Sequence, residues 1–411
     1  MTQPLPDPVI FTEFPLNVGI KLFAPGDIRP TPQQRAAYLR FTKRGDPLAD
    51  GVVAMFRRLP TGEGRRMFEA AVEHGIDSVP DAPQELVDFF AQVDAVPYWL
   101  DHHKLDIAAR ATGRTGFWGM NLALPALALM GGYLASRADK TLVGTGDLDY
   151  MAPRRLTETA GWWVDVTTLG ALGRFERGFK GILRVRLMHA LVRAGMKRRD
   201  DWDYDEWDEP VNQSLTAGTL ILFSMANVLG CQTLGLHFSA REKDAIYHFW
   251  RYVGYLMGVD AELLPATEED TWRLFWLQAD YEFRPDADSQ RLAQALIRAI
   301  GPVYSFDETT RAGRATVWAL TRYITAYSRI LLGDSNADFL GLPKSRAFQA
   351  AVLATAAGNT LLELPRRAIP GATRIQEALG HRVRKTMNNH SMAQLQGDRT
   401  FQRHDRLVRS A

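Results

Sequence analysis

The stretch GFKGILRVRLMHALVRAGMKRR, residues 178–199, decides how this chain folds. Together with Phe175, the residues Phe179, Ile182, Val185, Met188 and Val192 recur at three- and four-residue steps, the period of a helix rather than a strand. The last turn, Lys197, Arg198 and Arg199, places positive charge at the negative end of the helix dipole. In the middle stands His189, with Arg186 three residues before it and Arg193 four residues after, so all three share a face. Two guanidinium groups disfavour a third positive charge and keep the imidazole neutral. Neutral imidazole is the form that coordinates a metal. The same spacing also describes a core histidine bonded to a carbonyl, with its arginines paired to carboxylates. Spacing alone leaves both readings standing.

Outward from this helix the pattern stays helical. Residues 82–96 read as an amphipathic helix, and Ser239 with Glu242 forms a capping box opening a helix to about Gly258. Another helix starts at Thr267 with an acidic first turn, and 292–300, 309–332 and 345–362 are further helices. No run alternates apolar and polar residues between turn signals as a strand would. The fold expected is therefore all-α: a single large domain, residues 36–380, of about a dozen helices with a globin-like core. Residues 1–35, with prolines at 4, 6, 8, 15, 25, 30 and 32, read as an extended arm. Residues 381–411, with seven Arg or Lys against two Asp, read as a basic, partly solvated tail. The acidic, aromatic segment 200–210 lacks the offsets of a calcium loop and reads as a surface connection.

Two uncharged runs, 115–136 and 211–240, are long enough to span a bilayer. Their internal Asn, Gln, Pro and Gly residues, without basic flanks or aromatic belts, fit central core helices better than membrane spans. The small residues Ala123, Ala126, Gly131 and Gly132 would let a flat group or an apolar chain lie close to the backbone. Charge is balanced, 49 Lys and Arg against 47 Asp and Glu, which gives no global reason to expect nucleic acid or an anionic membrane as partner. The single cysteine, Cys231, excludes an internal disulfide and covalent attachment of a haem through a paired-thiol motif. The missing HExxH motif and the missing pair of ExxH steps argue against zinc-hydrolase and di-iron chemistry. No secretion signal is visible, so the expected location is cytoplasmic for a full-length chain and outside the cell for a trimmed mature form.

The string RVRLMHALVR at 184–193 resembles the signature of the latex-clearing protein (rubber oxygenase) family, within the wider MpaB-type oxygenase superfamily. Further similar stretches are GEGRR at 62–66, FFAQVD at 89–94 with VPYW at 96–99, APRRLTET at 152–159, WRYVGYLMG at 250–258 and ELLPATE at 262–268. The resemblance implies a buried, non-covalent haem b with His189 as its axial iron ligand. Arg186 and Arg193 are then candidates to meet the two haem carboxylates in charge-assisted hydrogen bonds. Arg155 and Thr159 match the family's distal arginine and threonine; four residues apart on a helix, they present two donors to one pocket, able to polarise dioxygen. The distal base falls at Asp139, with Asp147 or Asp149 in its place if the register shifts. Some members place a lysine on the iron; the matching residue here is Glu158, so that lysine-closed resting state is not expected.

The implied activity is that of a haem-b-dependent dioxygenase, a monomer with dioxygen as co-substrate. It cleaves the C=C bonds of poly(cis-1,4-isoprene) to oligo-isoprenoids with aldehyde and ketone ends. One alternative keeps the haem and changes the substrate to a smaller terpenoid or fatty compound inside the cell. The other is a non-enzymatic haem or lipid carrier, which predicts tight binding with no oxygen consumption. His102, His103 and His248 read as ordinary packed or hydrogen-bonded residues.

Overall fold

The two long uncharged runs form the middle of the molecule. The computed structural model describes residues 5–145 and 148–400, and every named element in that range is helical. The only pairing of strand type among the described residues is an isolated antiparallel bridge between Ala135 and Phe283. The first run becomes Gly116–Trp118, a π-helical stretch Gly119–Leu129, and Met130–Gly132. Pro125 sits inside the π stretch, where its missing N–H cannot join an α ladder and wider turns are accommodated. The second run becomes Gln213–Ile221, a π stretch Leu222–Ala226, and Asn227–Thr233. Taken together, Gln213–Thr233 is long and apolar enough to cross a membrane, yet most of it is buried inside the protein. The two runs touch backbone to backbone: a Cβ on Gly230 would stand 2.8 Å from that of Ala123. Asn227 Nδ2 donates to the Gly119 carbonyl across the same contact, at 3.3 Å.

Among the described residues there are sixteen α-helical segments of eight residues or more, Gln213–Ile221 of the centre included, above the dozen expected. Gly333, φ +84°, is non-helical within Arg311–Phe339 and falls where the sequence reading ends that helix, at residue 332. Helices Leu148–Val166 and Arg177–Met196 pack antiparallel. A Cβ on Gly178 would meet Val166 and one on Gly181 would meet Trp162, which fixes their register.

Both expected termini differ from the structure. The N-terminal segment is not an extended arm: Val9–Thr12 and Leu16–Phe23 are helical, and Phe11 is buried 5.2 Å from the Phe275 ring. Pro8, Pro15 and Pro32 stand at helix starts, where an absent N–H costs nothing. The boundary expected at 381 falls inside the helix Ala372–Gln394. Gly380, Arg384, Asn388 and Met392 recur every four residues and are all buried, so one face of this charged segment belongs to the core. Arg384 donates to Thr167 Oγ1 at 2.6 Å and to the Thr167 carbonyl at 2.8 Å. In the segment 200–210, Trp202 and Asp208 are buried, with Trp202 Nε1 donating to the Asp208 carbonyl at 3.0 Å.

Candidate functional site

His189 lies in the middle of Arg177–Met196, a helix with buried residues on every side. Burial, and then the charge of Arg193, hold its imidazole down at about 4, so it is neutral at physiological pH. The ring nevertheless keeps accessible surface, and neither nitrogen makes a hydrogen bond among the described residues. A neutral imidazole carries one donor and one lone pair, and both are costly to leave unused inside a protein. The imidazole is thus crowded by protein atoms yet only half-buried, so it is not sealed into the core. By contrast, His248 Nε2 accepts the Asp101 N–H at 3.0 Å, and His103 lies 2.8 Å from an Arg241 nitrogen.

The two arginines flanking His189 are already paired within the protein. Arg186 Nε and Nη2 donate to Asp46 Oδ2 and Oδ1 at 2.6 and 3.1 Å, and Nη1 donates to Gln92 Oε1 and the Leu256 carbonyl. Its guanidinium also stacks 4.5 Å from the Phe89 ring centre. Arg193 donates to Asp50 and, at 2.6 Å, to the Val211 carbonyl. Asp46 caps the helix Pro47–Arg58 and Asp50 is one turn further on, so the two pairs bind that helix to Arg177–Met196. The partners in this structure are aspartates, where the sequence led to an expectation of haem carboxylates. Both guanidiniums are committed to aspartates far away in sequence, which spacing within one helix cannot show. Gly258, φ +75°, completes the packing, since a Cβ there would stand 2.4 Å from Asp46 Oδ2.

Leu148–Val166 carries the other candidates. Thr159 is exposed, although Thr157 and Glu158 beside it are buried, because it opens onto an internal apolar cavity. That cavity has about 1080 Å³ of empty space, its mouth included. Leu124, Ala128, Leu156, Trp163, Phe223 and Ile300 are among its walls. Arg155 donates to Thr145 Oγ1 at 3.2 Å, and burial lowers its pKa. Tyr133 feels both Asp139 and Arg155, which places the three side chains in one electrostatic neighbourhood. The sequence reading missed Tyr133; its position directly after Gly131–Gly132 is the only signal that could have found it. Asp139 is buried and accepts the Ser289 hydroxyl at 3.0 Å. Burial raises its pKa well above the carboxylate range, and Asp286 and Asp288 add to the effect. It is not among the walls of the apolar cavity, and neither are His189 and Arg155. Asp147 and the Asp149 side chain lie outside the described residues. Glu158 is turned away, accepting Arg154 Nε at 2.9 Å and the Asp398 N–H at 2.7 Å.

Among the described residues no three His, Cys, Asp or Glu side chains gather closely enough to hold a metal ion. One imidazole holds iron only where a macrocycle supplies the remaining equatorial ligands. A lone, neutral, half-buried His189 with no hydrogen bond among the described residues could therefore hold the iron of a porphyrin, and it belongs to no all-protein metal site among those residues.

Fold and site define a class: an all-α protein with one uncharged, half-buried imidazole on a central helix and an apolar cavity on the helix beside it. Within that class, residues 115–360 match the family described as ER-bound oxygenase mpaB/B'/Rubber oxygenase, catalytic domain. The chain belongs to this family of oxygenases. It is 25% identical over 281 residues to a rubber oxygenase of Streptomyces sp. (strain K30), a match covering 67% of this chain and 64% of that protein. In three dimensions it is similar to the structure of Latex Clearing Protein LCP in the closed state. The TM-score is 0.60 at 21% identity, with 84% of this chain and 90% of that chain covered. The all-α fold expected from sequence is the fold of that protein.

Proposed function

We propose that this protein is a haem-b-dependent dioxygenase that cleaves C=C bonds in poly(cis-1,4-isoprene), leaving aldehyde- and ketone-ended fragments. The observation that carries the reading is His189: neutral, half-buried in the middle of its helix, and without a hydrogen bond among the described residues. The haem, when bound, supplies the binding and redox activation of dioxygen. This chain's residues supply everything else. Two charge pairs on the flanking turns, Arg186–Asp46 and Arg193–Asp50, fix the helix on which His189 stands. Arg155 and the Thr159 hydroxyl are donors on one helix face, and the Thr159 hydroxyl reaches the apolar cavity. That cavity is lined mostly by apolar side chains, which suits a substrate that offers only hydrocarbon surface and π-bonds. Asp139, whose burial raises its affinity for protons, is assigned as the base that takes the allylic proton.

The test is the visible spectrum of purified protein, wild type beside His189→Ala, followed by incubation with latex. A Soret band that the variant lacks, together with carbonyl-ended oligomers from the wild type, is the expected result. A band unchanged in the variant removes His189 as the ligand. A haem-loaded enzyme that makes no carbonyl products removes the rubber substrate.

A further inference from the structure

The helix Arg346–Ala368 is amphipathic in the wrong direction for a core element. Ala350, Leu353, Ala357, Leu361, Leu364 and Ala368 recur at three- and four-residue steps, and every one of them is exposed. The residues it buries are Val352, Asn359 and Glu363, two of them polar. The apolar surface continues round the corner onto Ala372–Gln394. Leu353, Leu361, Leu362, Leu364, Ile375 and Leu379 are each 57 to 70% exposed. A contiguous patch of this kind marks an interaction surface rather than chance exposure.

Charge decides what lies against it. Between residues 346 and 385 the exposed ionic side chains are Arg346, Arg367, Arg374, Arg382 and Lys385, and none is acidic. Of the two acids in that stretch, Glu363 is turned inward onto Arg366, and Glu377 is half-buried. The near-neutral balance of the whole chain conceals this local segregation. A second copy of the same surface would bring basic rim against basic rim. A layer with an apolar interior and negative headgroups complements both properties at once, as for amphipathic helices lying in a lipid interface.

We propose that the outer face of Arg346–Ala368 and the first half of Ala372–Gln394 docks this oxygenase on an anionic lipid surface. Much of the face, from residue 361 onward, lies beyond the residues matched by the family's catalytic domain. Docking there keeps the helices that carry His189 and Thr159 out of the contact.

The experiment is co-sedimentation of the full chain with vesicles of phosphatidylcholine alone or mixed with phosphatidylglycerol; it reads binding, not turnover. Wild type should bind the mixed vesicles, release as salt is raised, and bind neutral vesicles weakly. L361E/L364E should weaken binding by at least about tenfold, since each change removes an apolar side chain and adds a repelled charge. R367E/R374E should weaken it through charge alone, and both pairs, being exposed, should leave the thermal midpoint unchanged. Absence of binding, or equal binding to neutral vesicles, overturns the proposal. So does a concentration-dependent dimer that L361E/L364E disperses, which would make the face a self-interface.

Discussion

Asp46→Ala is the substitution with the largest consequence outside the proposed haem site. Asp46 is buried and gives both carboxylate oxygens to Arg186, whose guanidinium is itself sealed from solvent. Removing one partner of a buried pair strands the other charge, at a cost of about 3–5 kcal/mol. Asp46 also caps Pro47–Arg58 by accepting the Ala49 N–H at 3.2 Å, and losing such a cap costs about 1 kcal/mol more. The assay is urea unfolding of the haem-free protein, with Asp46→Ala, Arg186→Met and the double variant closing a thermodynamic cycle. Each single change should be severe, and the double variant should be milder than the sum, because it leaves no unpaired charge. If Asp46→Ala is nearly neutral while Arg186→Met spares the fold and selectively weakens haem retention, Arg186 is a propionate partner and its structural role is refuted.

The remaining predictions concern chemistry and close packing. In the haem-free protein, the His189 imidazole binds its proton only below about pH 4, whereas in the unfolded chain it does so below about 6.5. The unfolded state therefore holds more protons in that window, and stability should fall by about 3 kcal/mol as pH drops from 6.5 to 4. His189→Phe should flatten this slope in denaturation series run at several pH values; an identical slope would show that the imidazole is not buried neutral. Asp139→Asn should retain the haem spectrum and lower kcat by about 10²–10⁴-fold. In the wild type, kcat should rise with pH through a group titrating above the ordinary carboxylate range, and the variant should lack that limb. Gly258→Ala should destabilise by about 1–3 kcal/mol through its left-handed backbone and its collision with Asp46 and Arg186, read as a lowered urea midpoint.

The helical period around His189 and the capping boxes at Ser239 and Thr267 are local properties, legible from residues adjacent along the chain. The termini are different, because composition reports how polar a segment is, not which face it turns inward. The seven basic residues after 381 hide the four-residue row Gly380, Arg384, Asn388 and Met392, and the early prolines mark helix starts rather than an extended arm.

By itself, the sequence determined the class of fold and the family. These depend on neighbours within a turn or two along the chain. Tertiary structure alone decided where the charges went. Arg186 and Arg193 answer to Asp46 and Asp50, more than a hundred residues away, and Glu158 to the chain near Asp398. It also turned the stripe from Ala350 to Ala368 outward. A periodic pattern says that a helix has an apolar face, but which way that face points depends on what else has already filled the core.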